Sequence, residues 1–159
     1  PDELGFAKRD RHGARDLVNM LLNYGYGFLY QRLWNAVTKA GLNPCVSFLH
    51  AFQASKPTLV YDLIEEFRQP FVDRTIFSLL TKGKKGADMK VDGTTGYLDQ
   101  RTKNVVTKAM LHRLGGLTSY RGEKVKSEEI IELEVKDLVE AINSVTDGLS
   151  GFVNEGAPG

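Results

Sequence analysis

Apolar residues recur along most of this chain at three- and four-residue intervals, the spacing that gathers them on one face of an α-helix. The first such run holds Val18, Leu21, Leu22, Phe28, Leu29, Leu33, Val37 and Ala40. Asp16 is placed to cap its start and Gly41 to end it, which predicts one long, deeply packed helix. Within it Gly25 and Gly27 each cost about 1 kcal/mol relative to alanine, a penalty that points to close approach of another helix or of a ligand, with helix packing the first reading. Tyr24, Tyr26, Tyr30 and Trp34 ride the same helix at the spacing of core aromatics. Asn43 and Pro44 restart the chain into a short apolar turn carrying His50. The next helix opens near Pro57, buries Leu59, Val60, Leu63, Ile64 and Phe67, and is predicted to kink or break before Pro70. Another follows through Phe71, Val72, Ile76, Phe77, Leu79 and Leu80 to Gly83.

Residues 82–96 lose the helical period and contain an Asp-Gly turn signal, so a mobile loop or small hairpin is predicted near 82–98. Periodicity returns over 101–114 and stops at Gly115 and Gly116. After a loop through Tyr120, Arg121 and Gly122, Ser127 is placed to cap a last helix whose inward stripe is Ile130, Ile131, Leu138, Val139, Ile142 and Val145. Residues 1–15 read as an arm, and the glycine-rich tail after Asp147 as frayed or linker-like. The expectation is an all-α, multi-helix fold of five to seven helices forming a single helical domain over 1–159.

Composition leaves that picture intact: 42% apolar and 26% charged residues are ordinary for a globular domain. The lone Cys45 excludes an intrachain disulfide and a cysteine metal cage, in keeping with a cytoplasmic protein. No apolar run approaches the length of a membrane span, no cleavable signal opens the chain, and neither a P-loop nor a dinucleotide fingerprint is present. A net charge of +1 argues against wholesale attraction to nucleic acid, but the charges are unevenly spread. Lys8, Arg9, Arg11 and Arg15 cluster near the start, Lys82, Lys84, Lys85 and Lys90 in the middle, and Arg121, Lys124 and Lys126 later, while the last helix is acidic. These clusters read equally as phosphate contacts or as solvated loops.

The chemistry-bearing stretch is 44–74, which joins His50 to a helix with Asp62 and Glu65 three apart on one face and Arg68 three further on. An imidazole with one or two carboxylates, edged by guanidinium groups, suits a hard divalent cation that meets phosphate. The same spacing also describes an acidic solvated face beside a packed histidine. His112, with no acidic neighbour at useful spacing, reads as a surface or packing residue.

Several blocks in register carry more. They are a Gly-Leu-x-Pro turn at 41–44, an apolar tripeptide closed by His50, and LVYDLIEEFRQPFVDR at 59–74. Upstream stand Arg9, Arg11 and DLVNMLLNYGY at 16–26, and downstream the segment from Leu114 to Gly122. Together these resemble the helical domain of the CRISPR-associated spacer-acquisition integrase, the first of the numbered Cas proteins. The resemblance implies a metal-dependent DNA endonuclease and integrase, in which Mg²⁺ or Mn²⁺ promotes attack of a DNA 3′-hydroxyl on a phosphodiester of the CRISPR repeat. Carried over by motif, His50 and Glu65 are metal ligands, and Asp62 is a third catalytic acid that ligates the ion or orients the site. Arg68, Arg74, Lys82, Lys84, Lys85 and Arg121 are candidates for DNA phosphate. It also implies the small second Cas protein as partner, a homodimer, and in some members a reverse transcriptase. The family's first glutamate ligand precedes the Arg-x-Arg segment and has no counterpart here, Glu3 matching nothing, and the N-terminal β-domain is likewise unmatched. The expectation is therefore a fragment with an incomplete site, inactive by itself, or a non-catalytic helical module that offers DNA or protein contacts.

Overall fold

The structure, a computed structural model, describes residues 8–10, 16–46, 56–81 and 89–155, with backbone only beyond Val145. Helix α1, Leu17–Lys39, is the axis: it touches every other helix, and Leu21, Leu29, Leu33 and Val37 along it are wholly buried. Asp16 caps it as predicted, its carboxylate accepting from the Asn19 backbone N–H. Against α1 pack α2 (Thr58–Phe67), a π-helical turn (Arg68–Asp73) and α3 (Arg74–Thr81), which run on as one continuous rod. The fold continues with α4 (Gln100–Gly115), a hairpin of β1 (Leu117–Tyr120) and β2 (Glu123–Lys126), and α5 (Ser127–Glu155). Leu59, Val60, Ile64, Phe71, Val72 and Ile76 meet Val106, Met110, Leu114, Ile131 and Val135 in one core around α1. The all-α expectation holds, with a two-stranded addition.

Pro70 does not break its helix. A proline removes one N–H and crowds the preceding turn, and the backbone answers by widening: the Arg74 N–H reaches back five residues to the Gln69 carbonyl. The Pro70 carbonyl accepts from Arg113 Nε at 3.0 Å, tying the turn to α4. Gly25 has the predicted packing role, since a methyl group there would stand 2.7 Å from Val72 Cγ1 on the π-turn. Gly27 does not, with nothing within 4 Å of the same position.

The segment read as a loop through Tyr120 is the hairpin, in register Leu117 with Lys126 and Tyr120 with Glu123. Its two turn residues both have positive φ, 51° at Arg121 and 87° at Gly122, as a two-residue hairpin turn requires. Near 82–98 the described part makes one antiparallel bridge, Val91 to Leu98, around a turn in which Asp92 Oδ1 accepts from the N–H groups of Thr94 and Thr95. Ser127 is not a side-chain cap: its hydroxyl donates to the Gly116 carbonyl, and Glu129 instead accepts the Lys126 N–H. Beyond Asp147 the backbone stays helical to Glu155 rather than fraying, the apolar period of Val145, Leu149, Phe152 and Val153 outlasting the two glycines between them. The inward stripe of α5 is buried at Ile130, Ile131 and Val135, whereas Val145 is exposed. No helix among the described residues is long and apolar enough to cross a membrane.

Candidate functional site

Asp16, Asn19, Asn23 and Tyr26 follow one another at three or four residues, so they form a polar stripe down one face of α1. Arg9 lies across that stripe. Its Nη1 donates to Asn19 Oδ1 at 2.9 Å and its Nη2 to Asn23 Oδ1 at 2.6 Å. Asn19, 1% exposed, also accepts the Asp10 N–H at 2.8 Å. Through Nδ2 it donates to the Lys8 carbonyl and to Asp16 Oδ2, both at 2.8 Å. Residues 8–10, within what reads in sequence as an arm, are thus a clasp, and Arg9 and the Asp-x-x-Asn block belong to one hydrogen-bond network. Arg9 Nε is buried with no hydrogen-bond partner among the described residues.

Tyr26 at the end of the stripe is the junction with the second half of the site. The guanidinium carbons of Arg9 and Arg68 lie over its ring, 5.1 and 4.5 Å from the centroid, and its hydroxyl donates to Asp73. Burial first, then the Asp73 carboxylate, raise the phenol's pKa, against the pull of Arg68. The π-turn makes this junction. Residues five apart in a regular α-helix point about 140° away from each other, whereas the wider turn brings Arg68 and Asp73 round to the same tyrosine.

From the first position of the π-turn, Arg68 Nη1 donates to Glu65 Oε1 of α2 at 2.5 Å; the arginine side chain is 17% exposed and the glutamate 58%. Burial works against the Arg68 charge, but Glu65 and Tyr26 more than offset it, and the pKa is raised. Asp62 stands one turn before Glu65 on the same helix. Beside it the Tyr61 ring meets Tyr30 of α1, centroids 6.0 Å apart.

Of the sequence-predicted residues, Asp62, Glu65 and Arg68 therefore share one helix, and Glu65 and Arg68 touch. Arg74 is exposed at the start of α3. Arg121 sits on the hairpin turn, bound to Asp137 at 2.5 Å and to Glu134 at 3.5 Å, with its guanidinium over Tyr120. His112 is exposed at the rim of a cavity of about 460 Å³, among Arg101, Lys108 and Met89, in keeping with its surface reading. His50, Lys82, Lys84 and Lys85 lie outside the described residues. Among the described residues no three His, Cys, Asp or Glu side chains converge as a metal cage. Sequence reasoning missed Arg9, Asn19, Asn23, Tyr26 and Asp73. The signal that could have found them is a polar stripe at helical spacing on an otherwise apolar helix.

The CRISPR associated protein Cas1 family matches residues 1–111. The Francisella tularensis subsp. novicida CRISPR-associated endonuclease Cas1 is 34% identical over 130 residues, 82% of this chain and 38% of that protein. A second Cas1 endonuclease of Saccharolobus solfataricus is 33% identical over 156 residues, 98% of this chain and 46% of that one. The chain thus spans less than half the length of these curated relatives. Among solved structures, a casposase bound to integration product superimposes with a TM-score of 0.79 and 30% identity, over 91% of this chain and 44% of that one. A Cas1 protein from Thermotoga maritima shares the fold at a TM-score of 0.74 and 21% identity, over 87% of this chain and 44% of that one. With the family match over most of its length and relatives aligned across nearly all of it, the chain belongs to the CRISPR-associated Cas1 family.

Proposed function

We propose that this chain is the helical, metal-bearing part of a DNA endonuclease and integrase that inserts spacer DNA into a CRISPR array. The observation that carries the reading is the Asp62 and Glu65 pair one turn apart on α2, with Arg68 against Glu65, in a chain whose structural relatives include a casposase bound to integration product. The donors suit a hard divalent cation: the Glu65 carboxylate, half open to solvent, and the His50 imidazole, which lies outside the described residues, with Asp62 as a further ligand or an orienting acid. Bound there, Mg²⁺ or Mn²⁺ would polarise a phosphoryl oxygen and lower the pKa of an attacking 3′-hydroxyl. The chain's own part is to hold the carboxylates at fixed spacing and to bring Arg68 and Arg74 to the phosphate, where planar guanidinium groups grip two oxygens at once. DNA, the small second Cas protein and a second copy of the chain are the proposed partners, in a cytoplasmic setting. A chain of a Cas6-RT-Cas1–Cas2 complex shares the fold at a TM-score of 0.72 and 20% identity.

A second reading, a helical module without catalysis, is favoured by the engagement of Glu65 with Arg68, which occupies that carboxylate as an ion pair. One experiment separates the two. The complete gene product, wild type and with His50→Ala or Glu65→Gln, is titrated with Mn²⁺ and assayed for strand transfer into a repeat-bearing duplex. Loss of activity by at least about 100-fold in both variants, more than removal of an outer-shell partner brings, together with weaker Mn²⁺ binding, supports the enzyme. Unchanged Mn²⁺ affinity in both supports the module.

A further inference from the structure

Arg68 has two partners from different parts of the fold, and only one of them is a candidate ligand. Glu65, on its own helix, holds it at 2.5 Å, while Tyr26, on α1, lies under the guanidinium with 4.5 Å from carbon to centroid. At 17% exposure the arginine charge needs both, because a guanidinium removed from water is costly without compensation. Around Tyr26 the charges balance, two guanidiniums from Arg9 and Arg68 against the carboxylates of Asp73 and Glu65. If a divalent cation takes up the Glu65 carboxylate, the cluster carries excess positive charge and Arg68 loses its counter-charge while cation–π attraction still holds it on the ring. An anion arriving at the site then restores the balance.

We propose that Arg68 is a shared side chain coupling the cation site to DNA. Without a cation it pairs with Glu65; with Glu65 engaged by a cation it stays docked on Tyr26 and presents its freed N–H groups to a phosphate oxygen of the DNA. Tyr26 is the positioning residue, fixed in turn by Asp73 and by the Arg9 clasp. The inference rests on the reading of Glu65 as a cation ligand. Linkage makes the effect reciprocal: whatever factor the cation adds to DNA affinity, DNA adds to cation affinity.

The test uses the complete gene product and two readouts apart from catalysis: Mn²⁺ binding followed by electron paramagnetic resonance without DNA, and DNA affinity by fluorescence anisotropy with and without Mn²⁺. Arg68→Gln removes the cation that competes for Glu65, so Mn²⁺ should bind roughly two- to fivefold more tightly, the range of a partly exposed ion pair. Arg32→Gln, the same charge change at an exposed position of α1, should leave it within about twofold. Tyr26→Leu should lower the ratio of DNA affinities with and without Mn²⁺ at least about threefold, while Tyr26→Phe, which keeps the ring, retains that ratio. If Arg68→Gln does not fold, Arg68→Lys serves: it keeps a charge for Glu65 but has no planar face for Tyr26, so Mn²⁺ affinity holds and the ratio falls as in Tyr26→Leu. Unchanged or weaker Mn²⁺ binding in Arg68→Gln, or an undiminished ratio in Tyr26→Leu, overturns the proposal. Glu65→Gln separates the layers. If it leaves Mn²⁺ binding intact the cation reading itself fails, and if it weakens binding while the other variants do nothing, only the coupling fails.

Discussion

Asn19 shows how much one buried amide can decide. All four of its side-chain hydrogen bonds close the clasp, so Asn19→Leu would keep the volume but strand the Asp10 N–H, the Lys8 carbonyl and part of Arg9. Unpaired polar groups in such a place cost about 1–3 kcal/mol apiece. Allowing for partial access of water, a fall in melting temperature of roughly 5–10 °C is expected by differential scanning calorimetry, at about 2–4 °C per kcal/mol for a chain of this size. Tyr26 carries a pH signature. Its folded pKa is raised above the ordinary 10.0, so its contribution to stability is complete below pH 10 and is lost as pH rises from there through the folded value. Tyr26→Phe should remove that alkaline loss, seen as a flatter melting temperature between pH 9.5 and about 11. Neither role is visible in the sequence, because an asparagine and a tyrosine on an apolar helix look like tolerated exceptions until Arg9, ten or more residues away, folds over them.

At the scale of elements, the helices were legible because burial on one side forces a 3.6-residue period, and α1, α2 and α4 follow it closely. The hairpin was not, since four-residue strands offer too short a pattern and Arg121 is an unusual occupant of a left-handed turn position. The two glycines of α1 look equivalent in sequence and differ in space. Gly25→Ala gains about 1 kcal/mol of helix propensity but drives a methyl into Val72 Cγ1, and overpacking of about 1–3 kcal/mol should leave it destabilised. Gly27→Ala meets nothing and should stabilise by up to about 1 kcal/mol. Urea denaturation of the pair checks this, and rescue of Gly25→Ala by Val72→Ala would locate the clash.

For the whole molecule, the sequence reading placed Asp62, Glu65 and Arg68 together because i, i+3 spacing on a helix dictates it. It could not see that α1 completes the site from upstream, as Tyr26 reaches Asp73 across 47 positions. The distribution of basic groups makes a prediction at this scale. Arg74 is carried at a helix start, whereas Lys84 belongs to a glycine-bearing stretch of sequence without a helical period, and fixing backbone of that composition costs about 1–2 kcal/mol per residue. In DNA titrations at two salt concentrations, Arg74→Ala and Lys84→Ala should each lower the salt slope by about one contact, with the larger affinity loss in Arg74→Ala. A larger loss in Lys84→Ala would assign the DNA contact to the 82–85 stretch instead of Arg74.

The widened turn at Pro70 also acts as a counting device. A π-turn amounts to one residue more than the α-helical path needs, so deleting a single position between Arg68 and Asp73 would let the rod close up as plain α-helix. The side chains beyond the deletion would face as they do now, because four residues of α-helix turn the chain about as far as five of the wider turn. Asp73 would still meet Tyr26 and Ile76 the core, whereas a deletion in the plain α-helix on either side would swing every following side chain by about 100°. One residue can therefore be lost here at less cost than elsewhere on the rod, provided that it is neither Arg68 nor Asp73.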